Sequence, residues 1–455
     1  MISPLPCCLA ALPLLALSVL PAIAGPTAPA PATPPPAPPN PLSFFGGKLV
    51  FDIQEKLRVE SRENNFDFND NVDSLTDDTW FLNRFRLGMK IAPTPFFSIY
   101  LQGQDSREWD SDRPNIPGAL GAEGDDSFDL RQGYIELGNP KKGLSGKIGR
   151  QLFLYGDERL IGPLDWTNLG RTFDAVRLHY QGDKWWVDAF ASSVVRFRDG
   201  SFNESDWLDS DDTRDQFFSG VYFSTTAIGK QTTDFYILHL DEEFAGGDTS
   251  FVTLGTRMKS TPGAFNGWDY ETEMAYQTGD VRGNDLEAFA GHWGGGYTFP
   301  NCPWKPRVGV EYNYGTGDSN AADGEVETFQ NLFPTNHKFY GYMDVFSWQN
   351  MHNAAITLSA TPTKKLTARL DYHLFWIADT NDGWYRANGT TLVRPINNTA
   401  DSFAGSEFDL TLIYKACKNL TLQAGYSHFF AGEFLEATGA SDDADFGYVS
   451  AQIDF

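Results

Sequence analysis

From Ser43 to the carboxy terminus the chain alternates apolar and polar residues in runs of about ten, each closed by a turn or a polar stretch. The stretch Asp129–Tyr180 shows the pattern at its clearest. It reads as three β-strands, the first two joined by a short turn around Asn139–Gly146 and the last two by a longer polar loop, Tyr155–Arg171. In the third, Asp174–Tyr180, apolar Val176, Leu178 and Tyr180 alternate with Ala175, Arg177 and His179. Strand side chains point to opposite faces in turn, so an arginine and a histidine share one face and three apolar groups the other.

The same rule sets Leu49, Phe51, Ile53, Leu57 and Val59 opposite Asp52, Gln54, Lys56 and Arg58, with Glu55 out of step. Phe81, Phe85, Leu87, Met89 and Ile91 oppose Arg84, Arg86 and Lys90. Later strands put Arg257 and Lys259, then Asp269, Glu271 and Glu273, then Arg307 and Glu311, then Arg369, Asp371 and His373 on the polar face. The neighbours of Arg131 and Arg150 do not alternate cleanly, so periodicity leaves the facing of those two open.

Connections come in two lengths. Pro93–Pro95, Asn139–Gly143, Gln181–Lys184, Thr225–Gln231, Ser260–Asn266, Pro300–Pro303, Thr361–Lys365 and Ala416–Asn419 read as short turns. Between them lie longer stretches rich in Asp, Glu, Asn and Gly. They are Arg62–Asp78, Asp105–Asp126, Tyr155–Arg171, Asp199–Arg214, Asp241–Asp248, Thr278–Asp285, Gly315–Asn350, Asp379–Ala404 and Ala431–Asp445. About eight turns and about nine loops imply about 18 antiparallel strands with both termini on the short-turn side, the asymmetry of a bacterial outer-membrane barrel. No four-strand blade period supports a soluble propeller.

Composition fits an all-β transmembrane barrel. Aromatics make up 15% of residues, yet mean hydropathy is only −0.36, as when one strand face meets lipid and the other water. After the amino terminus no apolar run of about 18 residues occurs, which excludes a spanning helix. A net charge of −25 argues against a nucleic-acid partner, which requires clustered Lys and Arg. Much of the acid sits in the long loops, in DSREWDSD, EGDD, DWLDSDD, DEEFAGGD and SDDAD.

The chain divides into three regions. Residues 1–24 read as a secretory signal, with apolar Leu5–Ile23 and small residues Ala22 and Ala24 before Gly25, although the n-region lacks Lys and Arg. Residues 25–42 form an Ala/Pro-rich spacer of polyproline type, and 43–455 the barrel. Cys7 and Cys8 fall in the leader; Cys302 and Cys417 are expected to stay unpaired. The last strand alternates Gly447, Val449, Ala451 and Ile453 back from terminal Phe455, which resembles the signal outer-membrane proteins present to the barrel-insertion machinery.

An Arg or Lys facing the lipid midplane costs about 2–4 kcal/mol, so the charges are expected to line the lumen. Arg58, Arg84, Arg86, Arg131, Arg150 and Arg177 give the first six strands an excess of cations and are the candidate channel-lining residues. They serve either as a selectivity filter or as cross-lumen pairs that hold a wide barrel open.

The segments RQGYIELG, GRQLFLYGDERLIG and WTNLGRTFDAVRLHY resemble the core signature of the alginate-export family of outer-membrane barrels, and LTARLDYHLFWIAD is similar to one of its late strands. The resemblance implies an 18-stranded barrel passing polysaccharide through an arginine-rich constriction partly covered by loops. By position, Arg131 in DLRQ and Arg150 in GRQ would be constriction arginines, with Arg86 a weaker match. Two departures stand out. Only Lys338 remains where the family has a basic loop, and an expected arginine falls near Asp344. Both weaken a filter for polyuronate, so a neutral saccharide and an alginate-like chain stay open. The implied partners are an anionic or polar saccharide, outer-membrane lipid and lipopolysaccharide, with no cofactor and no metal.

An enzyme is not expected: His179, His239, His373 and His428 lack any G-x-S-x-G nucleophile motif. The Asp206–Asp215 cluster lacks EF-hand spacing and reads as a solvated rim. The alternative function is a general or nutrient-uptake porin for small neutral or anionic solutes.

Overall fold

In the computed structural model, residues 41–455 are described apart from 73, 76, 118–123, 208–214, 244–245, 390–391 and 395–400. The expected leader and residues 25–40 of the spacer lie outside them. From Leu49 the chain forms β1 (Leu49–Glu63), β2 (Asp78–Thr94), β3 (Phe97–Trp109), β4 (Asp126–Gly138), β5 (Gly143–Gln151) and β6 (Phe173–Gln181). It continues as β7 (Trp185–Val194), β8 (Asp215–Thr225), β9 (Gln231–Glu243), β10 (Thr249–Ser260), β11 (Trp268–Val281) and β12 (Asn284–Thr298). The last are β13 (Arg307–Gly315), β14 (Met351–Ala360), β15 (Leu366–Ile377), β16 (Phe403–Lys415), β17 (Leu420–Ala431) and β18 (Ala444–Asp454).

Each strand pairs antiparallel with the next. β18 returns to β1, from Gln54↔Asp454 to Glu63↔Asp445, so the 18 strands close into a barrel without an edge. Phe455 completes the seam: its N–H donates to Ile53 O at 2.9 Å and its carbonyl accepts from Ile53 N at 3.3 Å.

The alternation read from the sequence holds around the wall. Val176, Leu178 and Tyr180 are exposed to the lipid side, as are Ile237, Val310, Ile356 and Val449. Arg58, Arg84, Arg86, Arg257, Glu273, Asp371 and His373 are buried inside. Glu55, out of step in the sequence, does face outward, where its carboxylate accepts a hydrogen bond from Asn83 Nδ2. Aromatic rings such as Trp185 on Tyr180 (5.3 Å) and Trp268 on Tyr297 (5.0 Å) gird the short-turn rim, as at a membrane interface.

Three expectations need correction. Thr278–Asp285 is not a long loop: β11 and β12 meet through Arg282 and Gly283, at φ 52° and 84°, a two-residue turn whose twist suits a hairpin. Its polar composition comes from strands of 14 and 15 residues, longer than a bilayer needs. Second, the inner wall is not polar throughout. Phe190, Phe218, Tyr222, Tyr236, Leu238 and Phe251 line β7–β10 and are buried by aromatic residues that the loops carry into the lumen.

Arg131, whose facing the periodicity left open, sits in a β-bulge. Gln132 pairs with Gln102 and Leu130 with Gly103, so Arg131 is the unpaired extra residue and its side chain turns inward. Third, Arg150 does not face the lumen. It pairs in register with Asp174 and shares the parity of exposed Leu144, Ile148, Val176 and Leu178. Its Nε and Nη2 each donate to one Asp174 carboxylate oxygen at 3.0 Å, and Nη1 donates to Leu130 O at 3.1 Å. β4 runs seven residues past its last pair with β5, Gly133↔Arg150, and the connection between β7 and β8 closes this gap. There Ser205 Oγ donates to Asp174 at 2.8 Å and Asn203 Nδ2 to Asp126 at 2.7 Å.

This pair is structural, which makes a prediction. Arg150→Ala leaves a buried carboxylate alone and is expected to cost about 3 kcal/mol, while Arg150→Ala with Asp174→Ala recovers most of it. Heat-modified gel mobility of the folded barrel reads both. Unchanged thermal stability in the single variant would contradict the assignment.

Candidate constriction and its internal strap

Beyond Gln151 the chain leaves the wall and crosses the lumen before rejoining it at Phe173. Apolar residues start this strap: Phe153 packs on Phe173 (4.9 Å) and Phe190 (4.7 Å), and Tyr155 on Tyr222 (4.7 Å). Tyr155 Oη donates to Asp188 at 2.8 Å. Each buried Phe contributes about 1.5–3 kcal/mol of transfer free energy, enough to hold a segment that would otherwise prefer water.

Charged residues then fix the strap to both sides. Asp157 accepts hydrogen bonds from Arg257 (2.7 Å) and Lys259 on β10. Arg159 reaches His292 on β12 (3.2 Å) and Tyr340 Oη (3.3 Å), with its guanidinium 4.0 Å from the Phe339 ring. Midway, the strap pairs with the second inward loop, which contains Phe333. Phe333 N donates to Leu160 O, and Gly162 N to Phe333 O, both at 2.8 Å.

Its far end enters the arginine cluster. The Asp165 carboxylate lies 2.7 Å from Arg86, 3.5 Å from Arg84 and 3.9 Å from Arg131. Arg84 Nη1 also donates to the carbonyls of Asp165 (3.0 Å) and Thr167 (2.9 Å), and Arg131 Nη1 to Leu169 O (3.0 Å). Gly170 has φ 69°, and a Cβ there would stand 2.7 Å from Arg131 Nη2, so glycine lets the strap lie against the guanidinium.

Next to Asp165, Trp166 is clamped. The Arg58 guanidinium carbon sits 4.1 Å from its ring centre, and His337 stacks on it at 3.9 Å with planes 18° apart. Arg58 Nη1 donates to Trp166 O at 2.6 Å. His337 in turn meets Asp344 at 2.9 Å, and Asp344 meets Arg62 at 3.3 Å.

Electrostatics favour the clamp. The three arginines are almost fully buried while the Asp165 side chain is 49% exposed, so one carboxylate caps a surplus of positive charge. Burial would raise the Asp165 carboxyl, but Arg84, Arg86 and Arg131 outweigh it and hold it well below the usual carboxylate range. Asp157 is likewise held down against its burial, by a hydrogen bond with Glu271 and by the charges of Arg257 and Lys259. Arg171 differs: burial draws it down to about 10, and among the described residues no carboxylate pairs with it.

Two cavities flank the strap. One of about 380 Å3 is bordered by Arg131, Trp166, Arg171, Asn203, His337 and Arg386. The other, about 280 Å3, lies toward the short turns and is bordered by Glu136, Lys147, Arg177, His179, Trp186 and Asp188.

Of the six candidate arginines, the fold thus brings Arg58, Arg84, Arg86 and Arg131 together. Arg177 belongs to the second cavity, 3.6 Å from Asp188, and Arg150 to the outer face. Asp165, Trp166 and Arg171 were not among the residues singled out from the sequence, where they lie in the longer polar loop Tyr155–Arg171. A tryptophan beside an acid in so polar a stretch was the available signal. Lys338 pairs with Glu158 at 2.7 Å. The Asp206–Asp215 cluster falls largely in 208–214, outside the described residues.

Solved structures of the same fold include three from Pseudomonas aeruginosa. OccK3 (OpdO) aligns with TM-score 0.61 and 11% identity, over 91% of this chain and 96% of that one. OpdK with vanillate gives 0.60 and 11%, over 89% and 98%. A further structure of opdK, described as an outer membrane protein, gives 0.57 and 11%, over 89% and 98%. No curated protein sequence matches significantly. Residues 48–449, nearly the whole barrel, match the family model described as alginate export. With the lipid-facing belt and closed wall, this places the protein in the bacterial outer membrane as a transport channel, and the chain belongs to the alginate-export family.

Proposed function

We propose that the channel passes an anionic or polar saccharide passively, with a polyuronate such as alginate as the preferred cargo. The observation that carries this reading is the arginine cluster. Arg84, Arg86 and Arg131 converge on one carboxylate that belongs to the strap and not to the wall. A uronate carboxylate offers the same two oxygens to the guanidinium forks and can take the place of Asp165 as the strap swings aside. Arg58 then loses Trp166 and becomes a further donor. The strap is the gate and the arginines the filter.

A second reading rests on OpdK, whose barrel shares this fold and was crystallised with vanillate, a small carboxylate. The same arginines would then serve import of a monomeric acid. Block of single-channel current separates the two: a polyuronate chain blocks at far lower concentration than a monocarboxylate only if several subsites are used in line.

Two outcomes are expected. Arg131→Glu should keep the barrel folded and weaken polyuronate block at least about tenfold, a loss of about 1.4 kcal/mol. Unchanged block would remove Arg131 from the filter. For pH, the sign comes from the lowered Asp165 carboxyl: its latch is complete above the ordinary carboxylate value near 4 and is lost only as pH falls through its depressed value. The Asp165 latch itself is therefore expected to be unchanged from pH 8 to pH 5, whereas Asp165→Asn should raise open probability at pH 7. Equal open probability in wild type and Asp165→Asn would refute the latch.

A further inference from the structure

One carboxyl group stands within the lipid belt. Along the outward face of β1 the side chains run Phe51, Ile53, Glu55, Leu57 and Val59, and beside Glu55 the neighbouring strands present Ile453 and Phe85. Apolar groups therefore surround it on all four sides. Asp105, Glu287 and Asp445, outward near the loop ends of their strands, differ. Arg107 lies 2.6 Å from the first, Tyr276 donates to the second at 3.0 Å, and His428 lies 2.9 Å from the third. Among the described residues no cation pairs with Glu55, which accepts only from the Asn83 amide. An ionisable group kept in hydrocarbon is costly and marks a contact that uses it.

That single hydrogen bond leaves both groups half used. The amide keeps a second N–H and the carboxyl a second oxygen, neither with a partner among the described residues. Being bonded to each other, the two heads stand at one depth. The wall beside them is hollow. On β18, Ala451 pairs with Leu57 and Gly447 with Ser61, and on β17, Ala424 pairs with Val449. A Cβ at Gly447 would meet nothing within 4 Å. From this floor of small residues Leu57 and Val449 stand up, 50% and 62% exposed. The face thus carries knobs, hollows, a spare donor and a spare acceptor together.

We propose that the outer face of β17, β18, β1 and β2 is the interface of a homodimer within the outer membrane. All copies are inserted in one orientation, so a two-fold axis along the membrane normal keeps every group at its own depth. It brings the partner's Asn83 to Glu55, and the partner's Glu55 to Asn83. Each spare N–H then meets a spare carboxyl oxygen, closing a ring of hydrogen bonds from which lipid is excluded. Leu57 and Val449 seat in the hollow of the second copy. A different protein would need its own donor and acceptor at that depth, whereas a second copy always carries them. A lipid tail fills the hollow but offers no hydrogen bond. Glu55 and Asn83 face away from the lumen, so the dimer forms whatever the pore carries.

Cross-linking in the outer membrane of intact cells tests this. In a background lacking Cys302 and Cys417, Leu57→Cys is expected to give a disulfide-linked species of twice the chain mass on oxidation. Ile237→Cys, comparably exposed on β9 at the far side of the barrel, is expected to give none. Adding Glu55→Leu and Asn83→Leu to Leu57→Cys should keep the barrel folded, by heat-modified gel mobility, and lower the dimer yield about fivefold or more. Independently of any cysteine, wild-type protein extracted in polymer-bounded native discs is expected to weigh as two chains, and Glu55→Leu/Asn83→Leu as one. Four results overturn the homodimer: equal cross-linking at the two cysteine positions, a cross-link to a species of another mass, a one-chain mass for wild type, or a dimer yield untouched by the double substitution.

Discussion

Hydrocarbon accepts no unpaired backbone group and almost no charge, and the rest of this structure depends on meeting that demand. A closed ring of strands satisfies the backbone, and a period of two sends every second side chain to lipid. Charges are left one place to go. With Arg58, Arg84, Arg86, Arg257 and their acidic counterparts all driven inward, the lumen must balance charge as well as hold water. The strap between β5 and β6 answers that need: it brings Asp165 to the arginines of β2 and β4 and Asp157 to the cations of β10.

Stability and the proposed gating are therefore two aspects of one arrangement. The strap is held by aromatic burial near Phe153 and Tyr155 and by ion pairs at Asp157 and Asp165, and these respond to different agents. Aromatic contacts do not compete with a sugar acid. The Asp165 pairs do, because an incoming carboxylate offers the same interaction. In the proposed gating the strap releases at its Asp165 end while its Phe153 end stays anchored, and the clamp of Trp166 between Arg58 and His337 lies on the part that moves.

Strict alternation made much of this fold readable from the residues alone. The lipid faces, the inward charges of β1, β2 and β6, the barrel class and all but one of the connections were legible because each strand obeys period two on its own. The failures have local causes. Arg131 was ambiguous because a bulge adds one residue to β4, and no alternation rule shows which residue is the extra one. Arg150 looked like a lumen arginine by position, yet its outward parity is tolerated because Asp174 neutralises it and the segment carrying Ser205 covers it. The loop containing Asp165 read only as polar because the partners of its groups lie far off in sequence, 38 residues for Leu169 and Arg131 and 81 for Asp165 and Arg84. Contacts that distant leave no periodic trace.

The central claim is that the strap must leave the arginine cluster for cargo to pass, and tethering it is the direct test. Ser106 Oγ on β3 donates to Asn168 O on the strap at 2.9 Å, so Ser106→Cys with Asn168→Cys, in a background lacking Cys302 and Cys417, can join strap to wall. Alginate-oligomer flux into liposomes is expected to stop on oxidation and return on reduction. Flux that continues with the strap fully cross-linked would show that cargo takes another route, and would contradict the account.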